Sequence, residues 1–250
     1  MRFAGKKVLV TGGARGIGAA TAEAFLKEGA KVAIGARSLA SFDAFAAKHS
    51  GADIHPAIGE IGSQVKAAAV VTAALKSLGG LDVLVNSAGY FTEVAVEDVD
   101  QAHWDETIDT NIAGTFFCSQ AALPALKATR GAIVNLASDA GLIGYPLGAV
   151  YSASKAAVIN LSRAMVLELA TSIRINCVCP GNVDTDMIQQ AAVASGDAKG
   201  YLERANARSP MKRMASPQEV ATAILYLASP EAAFVNGSIL SIDGGGVCGF

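Results

Sequence analysis

Short runs rich in β-branched residues recur at residues 6–11, 31–36, 54–58, 81–86, 131–136, 174–179 and 238–242. Alanine-rich segments of helical period lie between them, notably at 16–28, 63–78, 102–127, 151–170 and 217–228. Several of the strand runs, such as Val8-Leu9-Val10 and Val83-Leu84-Val85, are apolar without a break and do not alternate. A strand of that kind has both faces covered, which is the condition of a parallel sheet between two helical layers. The pattern therefore predicts an α/β fold, a doubly wound seven-stranded parallel sheet with helices on both faces. Ligands of such folds bind beyond the carboxyl ends of the strands, so those ends are where chemistry is to be sought.

A chain of 250 residues is near the upper limit of what one core can serve, and no Pro/Ser-rich or charge-dense linker interrupts it. The expectation is a single domain over residues 1–250, with 186–210 breaking the alternation as a substrate lid. Hydrophobic residues make up 52% and charged residues 17%, more apolar than one core requires, which suggests contacts between copies. The longest apolar stretches, 67–75 and 221–228, are well short of the ~20 residues that span a bilayer, and no membrane partner is expected. A net charge of −2 without a Lys/Arg cluster makes nucleic acid an unexpected partner as well. The start of the chain runs directly into the first apolar strand, leaving no room for a secretory leader, so a cytoplasmic protein is expected. None of Cys118, Cys177, Cys179 and Cys248 stands in a C-x-x-C pair or beside His at ligand spacing. They read as reduced, packed thiols, and no residue is assigned to a metal.

The first strand ends in Thr11-Gly12-Gly13-Ala14-Arg15-Gly16-Ile17-Gly18 and leads into a helix. Strand, glycine turn and helix in that order make an anion site: the helix N-terminus offers unpaired N–H groups, and the missing side chains let a pyrophosphate approach. Glycines also serve tight turns, and it is the flanking strand and helix that make the turn a nucleotide site. At the end of the second strand, where such folds meet the adenosine ribose, an NAD site carries an acid. Here Ala36 is followed by Arg37 and Ser38, and Arg15 stands in the glycine turn. Either arginine alone reads equally as a solvated surface charge. Two charged hydrogen bonds of about 1.5–3 kcal/mol each, partly overlapping, would favour NADP over NAD by on the order of 100- to 1000-fold.

Tyr151 and Lys155 are one helical turn apart on a shared face in Tyr151-Ser152-Ala153-Ser154-Lys155. An ammonium ~5 Å from a phenol, at an effective dielectric of ~20, favours the phenolate by ~3 kcal/mol, or roughly two pKa units. This spacing predicts a tyrosine poised near neutral pH for proton exchange. Such a pair is also common on an ordinary helix face, and neighbouring residues give it weight. Ser138 follows the fifth strand at its carboxyl end, where its hydroxyl can reach a substrate oxygen beside Tyr151. Asn111 falls inside a helical segment, where its amide needs another reason to be; holding a water that passes protons to Lys155 is one.

With these residues assembled, the chain resembles the short-chain dehydrogenase/reductase family from Lys6 to Gly246. The family's T-G-x-x-x-G-x-G is met by Thr11 to Gly18, its N-N-A-G by Asn86-Ser87-Ala88-Gly89 and its Y-x-x-x-K by Tyr151 to Lys155. The resemblance implies a single-domain Rossmann fold and a catalytic tetrad of Asn111, Ser138, Tyr151 and Lys155. Cofactor contacts are implied at Gly12, Arg15, Gly16, Ile17, Gly18, Arg37, Ser38, Glu60, Ile61, Asn86, Ala88 and Gly89. Tyr151, Lys155, Pro180, Gly181, Val183 and Thr185 are implied to complete them, Lys155 gripping the nicotinamide ribose and Val183 and Thr185 meeting the carboxamide. Ser87 departs from the family's second asparagine, and Glu60 stands where the family commonly has Asp.

The activity implied is hydride transfer between NADP(H) and the carbonyl or secondary alcohol of a small molecule, with Tyr151 as general acid/base, in a homotetramer. The alternatives are an NAD-linked alcohol or polyol dehydrogenase and a non-catalytic NADP-binding regulator. 3-Oxoacyl-carrier-protein reductases and ketone or polyol reductases of the family are resembled about equally.

Overall fold

The computed structural model describes residues 1–249. Its strands are β1 (Lys7–Thr11), β2 (Lys31–Ala36), β3 (Ile54–Ile58), β4 (Val83–Asn86), β5 (Ala132–Leu136), β6 (Arg174–Pro180) and β7 (Ile239–Ile242). All pair in parallel in the order β3-β2-β1-β4-β5-β6-β7, the seven-stranded doubly wound sheet expected. The register pairs Val8 with Val32 and Val83, and Leu84 with Ile133, so apolar residues run across the sheet in rows.

The unbroken apolar strands are explained by the packing. Val8 and Val10 of β1 join one core with Phe25, Ile34, Phe45 and Ile224, whereas Leu9 between them joins a second with Leu84, Ile133, Val71 and Leu126. The first core lies under α1 (Gly16–Lys27), α2 (Leu39–Ala46) and α9 (Pro217–Ala228). The second lies under α3 (Gln64–Leu78), α5 (Gly114–Thr129) and α6 (Ala149–Leu169). Burying a Leu, Ile, Val or Phe side chain contributes about 1.5–3 kcal/mol, so each strand is held from both sides.

One helical reading is corrected. The segment read as one helix over 102–127 is divided into α4 (Gln101–Ile108), a π-helical stretch at Asp109–Ala113, and α5. The reason is close approach by the loop after β3. A Cβ on Gly114 would stand 2.6 Å from Ile61 Cδ1, and one on Gly62 would stand 3.0 Å from Asp109 Cβ. A widened turn of this kind re-aims the side chains it carries, here including Asn111. The stretch after β6 that breaks the alternation carries two short helices, α7 (Asp186–Ala194) and α8 (Ala198–Ala207). Among the described residues no helix is long and apolar enough to cross a membrane.

The strand order reverses at β1, which has β2 on one side and β4 on the other. The loops after β1 and β4 therefore part to open a crevice at the carboxyl edge of the sheet.

Candidate active site

The crevice is a cavity of about 530 Å³ running from Arg37 and Lys66 at one end to Tyr151, Asn182 and Met187 at the other. Thr11 pins its two walls together. Its Oγ1 accepts from the backbone N–H of Ser87 at 3.1 Å and of Ala88 at 3.2 Å, joining the loops that follow β1 and β4. The substitution of Ser87 for asparagine leaves this tie intact, because only its backbone is used.

The glycine turn is shaped for close approach. Gly12 and Gly16 have φ of +64° and +55°, conformations that side chains rarely adopt. A Cβ on Gly12 would meet Ala88 Cα at 2.8 Å, and one on Gly18 would collide with the Gly12 carbonyl. α1 begins directly behind the turn with no acid in its first turn and no side chain capping its N-terminus. Its first N–H groups are thus free for an anionic ligand. The turn fits the diphosphate of a dinucleotide, as the sequence implies.

At the far end, Ala36, Arg37, Glu60, Ile61, Gly62 and Lys66 line the cavity with Arg15. Arg37 is largely exposed and stands 4.0 Å from Glu106, a loose contact that leaves it able to meet a phosphate. Glu60 is ion-paired with Lys66, which holds its carboxyl below the ordinary range. Lys66 is thus a third cation at this end that sequence reasoning did not single out; its i+6 spacing from Glu60 carries no motif. Ser38 does not line the cavity. It caps α2, accepting from the Ser41 N–H at 3.3 Å.

Asn86 has a role in the frame of the site. It is buried within the sheet's carboxyl edge, donating to Asn135 Oδ1 at 2.8 Å and to Ser119 Oγ at 2.9 Å. Asn135 in turn donates to Ser162 at 2.8 Å, so the asparagine fastens β4 to β5, α5 and α6 and does not face the cavity. Ala88 and Gly89 do line it, as do Gly12, Arg15, Gly16, Ile17, Gly18, Pro180, Gly181, Val183 and Thr185.

The catalytic candidates gather at the other end, brought by three elements. Ser138 follows β5, and Tyr151 and Lys155 lie in the first turns of α6, all lining the cavity. Asn111 stands behind them, fully buried. Its Oδ1 accepts from the Tyr90 N–H at 2.8 Å, and its Nδ2 donates to the Tyr90 carbonyl at 3.0 Å and to Ser154 Oγ at 2.9 Å. The side-chain amide is therefore engaged by protein and ties the loop after β4 to α6.

Burial also acts on the charges of the pair. Lys155 Nζ is 5.6 Å from the centre of the Tyr151 ring but donates to the Leu136 carbonyl at 2.9 Å. Burial pushes the ammonium down to about 8. Burial pushes the Tyr151 phenol up, with Ser138 opposing and Asp139 reinforcing the rise. Desolvation of the buried phenol opposes the attraction expected from the ammonium. The aromatic ring of Phe91 packs edge-on to it at 4.8 Å.

Fold and site together define a dinucleotide-dependent oxidoreductase, with a phosphate cradle at the sheet switch point and a phenol, hydroxyl and ammonium at the end of the same cavity. The chain belongs to the short-chain dehydrogenase/reductase family, and the family model described as Enoyl-(Acyl carrier protein) reductase matches residues 12–246. It is 38% identical to 2-(S)-hydroxypropyl-CoM dehydrogenase 3 of Xanthobacter autotrophicus, over 98% of this chain and 97% of that protein. It is 36% identical to the 3-oxoacyl-(acyl-carrier-protein) reductase FabG of Thermotoga maritima, over 98% and 99%. The structure of ElxO with NADP bound superposes with a TM-score of 0.89 at 33% identity, covering 97% of this chain and 99% of ElxO.

Proposed function

We propose that the protein is an NADP(H)-dependent oxidoreductase that moves a hydride between the nicotinamide and a carbonyl or secondary alcohol, with Tyr151 exchanging the proton. The observation that carries this reading is the single cavity that has Arg15 and Arg37 at one end and Ser138, Tyr151 and Lys155 at the other. The cofactor supplies the hydride when bound. The chain's own residues do the rest. Gly12, Gly16, Gly18 and the start of α1 hold the diphosphate; Arg15, Arg37 and Lys66 balance a ribose phosphate.

Tyr151, raised by burial, gives its proton to the substrate oxygen as the carbon accepts the hydride, and Ser138 holds that oxygen. In the reverse direction the phenolate takes the alcohol's proton. Lys155 stands one turn away with an ammonium that stabilises the phenolate once it forms. A carbonyl substrate meets Phe91, Tyr145, Met187 and Ile188, a mostly apolar wall that excludes water from the transfer.

Residues 186–210 act as the substrate lid. Three contacts support this: Tyr201 donates to Glu93 at 2.9 Å, the Arg208 guanidinium lies 4.1 Å from the centre of the Tyr145 ring, and Asn182 donates to the Ala205 carbonyl at 3.0 Å. They fasten α8 over the substrate end. A cytoplasmic homotetramer without a nucleic-acid partner completes the reading, supported by the net charge of −2 and by exposed Leu167 and Phe234.

The test is NADPH and NADH oxidation at 340 nm, run in parallel against an acetoacetyl thioester, 2,3-butanedione, an aryl ketone and a ketose. Turnover with NADPH in preference to NADH is expected. Preference for NADH would establish the NAD-linked dehydrogenase, and tight NADPH binding with no turnover on any carbonyl or alcohol would establish the regulator.

A further inference from the structure

The reaction described above uses Ser138 but not its neighbour Asp139. The serine hydroxyl has one proton, and its shortest acceptor is the neighbouring carboxyl: Ser138 Oγ donates to Asp139 Oδ1 at 3.0 Å, with the Pro180 carbonyl farther off at 3.5 Å, while accepting from the Ala140 N–H at 3.2 Å. Asp139 is buried, and it stands in the wall between the main cavity and a second one of about 320 Å³. Its other carboxylate oxygen lies against Gly181. Two cavities thus meet at one carboxyl group, and that group holds the proton donor of the substrate end.

We propose that Asp139 is a positioning residue that sets the direction of the Ser138 hydroxyl. As a neutral acid it donates to the serine oxygen, which frees the serine proton for a carbonyl oxygen. As a carboxylate it accepts the serine hydroxyl's hydrogen bond, and that proton is turned away from substrate. Carbonyl reduction is accordingly faster with Asp139 protonated.

The surroundings agree with this role. Burial holds the carboxyl above the usual range; Ser138 and Arg208 pull it down and Asp243 pushes it up. Arg208 faces it from the end of α8 and Asp243 from the loop after β7, while Tyr151 faces it from α6. Arg213 and Glu219, on the far wall of the second cavity, are paired with each other. Asp243 is itself engaged by the N–H groups of Gly245 at 3.1 Å and Val247 at 2.8 Å.

The proposal rests on the hydride-transfer reading, and two measurements keep the failures apart. The first is kcat for NADPH-dependent reduction against pH, for the carbonyl of the four-member panel turned over fastest, in the wild type, Asp139→Asn, Ser138→Ala and the double variant. Wild-type reduction falls by about threefold or more as Asp139 ionises. Asp139→Asn lacks that fall, keeps its NADPH affinity, and changes nothing further in the Ser138→Ala background.

The second is melting temperature against pH without substrate. An acid whose folded pKa is raised costs stability once pH exceeds its unfolded value of about 3.9, and the loss levels off at the folded value. The advantage of Asp139→Asn over the wild type therefore grows from about pH 4 and levels once Asp139 of the free folded chain has ionised. A flat margin, a kinetic fall that persists in Asp139→Asn, or an equal effect of the substitution with and without Ser138 overturns the proposal. A growing margin with no turnover of any carbonyl by the wild type sinks the hydride-transfer reading, and the positioning role with it.

Discussion

Lys155 stands 5.6 Å from the centre of the Tyr151 ring, but its ammonium donates to the Leu136 carbonyl at 2.9 Å and is buried. The lysine is therefore held in place for the reaction at a cost to the fold. Its pKa is pushed to about 8 in the folded chain, against an ordinary value of about 10.4 in the unfolded one. Below pH 8 both states hold the proton and the folded state carries the whole desolvation penalty. As pH rises from 8 toward 10.4 the folded chain releases its proton first, and the penalty fades. Lys155→Met is expected to melt higher than the wild type at pH 7, by roughly 2 kcal/mol after loss of the Leu136 contact, and to lose that margin above about pH 10. Calorimetry across this range checks it; a variant that melts lower at pH 7 contradicts the assignment.

Arg37 approaches Glu106 only at 4.0 Å, so its charge is available to a ribose phosphate. Arg37→Ala should raise the Kd for NADPH by about 10- to 100-fold and leave NADH within about twofold. Fluorescence titration with both cofactors measures this, and equal weakening of the two would remove Arg37 from the phosphate site.

The two glycines at the start of α1 serve different ends. A Cβ at Gly18 collides with the Gly12 carbonyl, whereas at Gly16 the nearest atom is Thr185 Cγ2 at 3.5 Å and only the φ of +55° opposes substitution. Gly16→Ala should cost about 1–2 kcal/mol of stability through backbone strain. Gly18→Ala should displace the turn and weaken NADPH binding by more than about tenfold, the larger effect of the two. Melting and binding measured on the same pair of variants separate strain from the lost cradle.

Tyr201→Phe deletes the hydroxyl that donates to Glu93 at 2.9 Å and leaves Glu93 the longer contact from Tyr145 at 3.4 Å. A lid freed in this way should raise the KM for the carbonyl by about three- to tenfold, with NADPH affinity unchanged. A fall in kcat with unchanged KM would instead place Tyr201 in the chemistry and not in the lid.

The sheet was legible because both faces of its strands are buried, which writes an unbroken apolar run into each; Val8, Leu9 and Val10 suffice to show it. Residues held by local geometry were legible too, as with the glycine turn and the one-turn spacing of Tyr151 and Lys155. The cap made by Ser38 and the interior fastening made by Asn86 were not legible, because a polar side chain at a strand end looks the same in either role and only burial and partners distinguish them. The opposing effect of burial on the Tyr151 phenol was not legible, since charge spacing is visible in sequence and desolvation is not. Contacts such as Tyr201 with Glu93, 108 residues apart, leave no local pattern at all.

The central claim is that Tyr151 delivers the proton, and Tyr151→Phe tests it most directly, since it removes the hydroxyl and keeps the ring that packs on Phe91 at 4.8 Å. With the carbonyl that the wild type reduces fastest, kcat for NADPH oxidation at 340 nm should fall by on the order of 100-fold or more, while NADPH binds the variant within about twofold of the wild-type Kd. Turnover that survives the substitution at the wild-type rate would contradict the account.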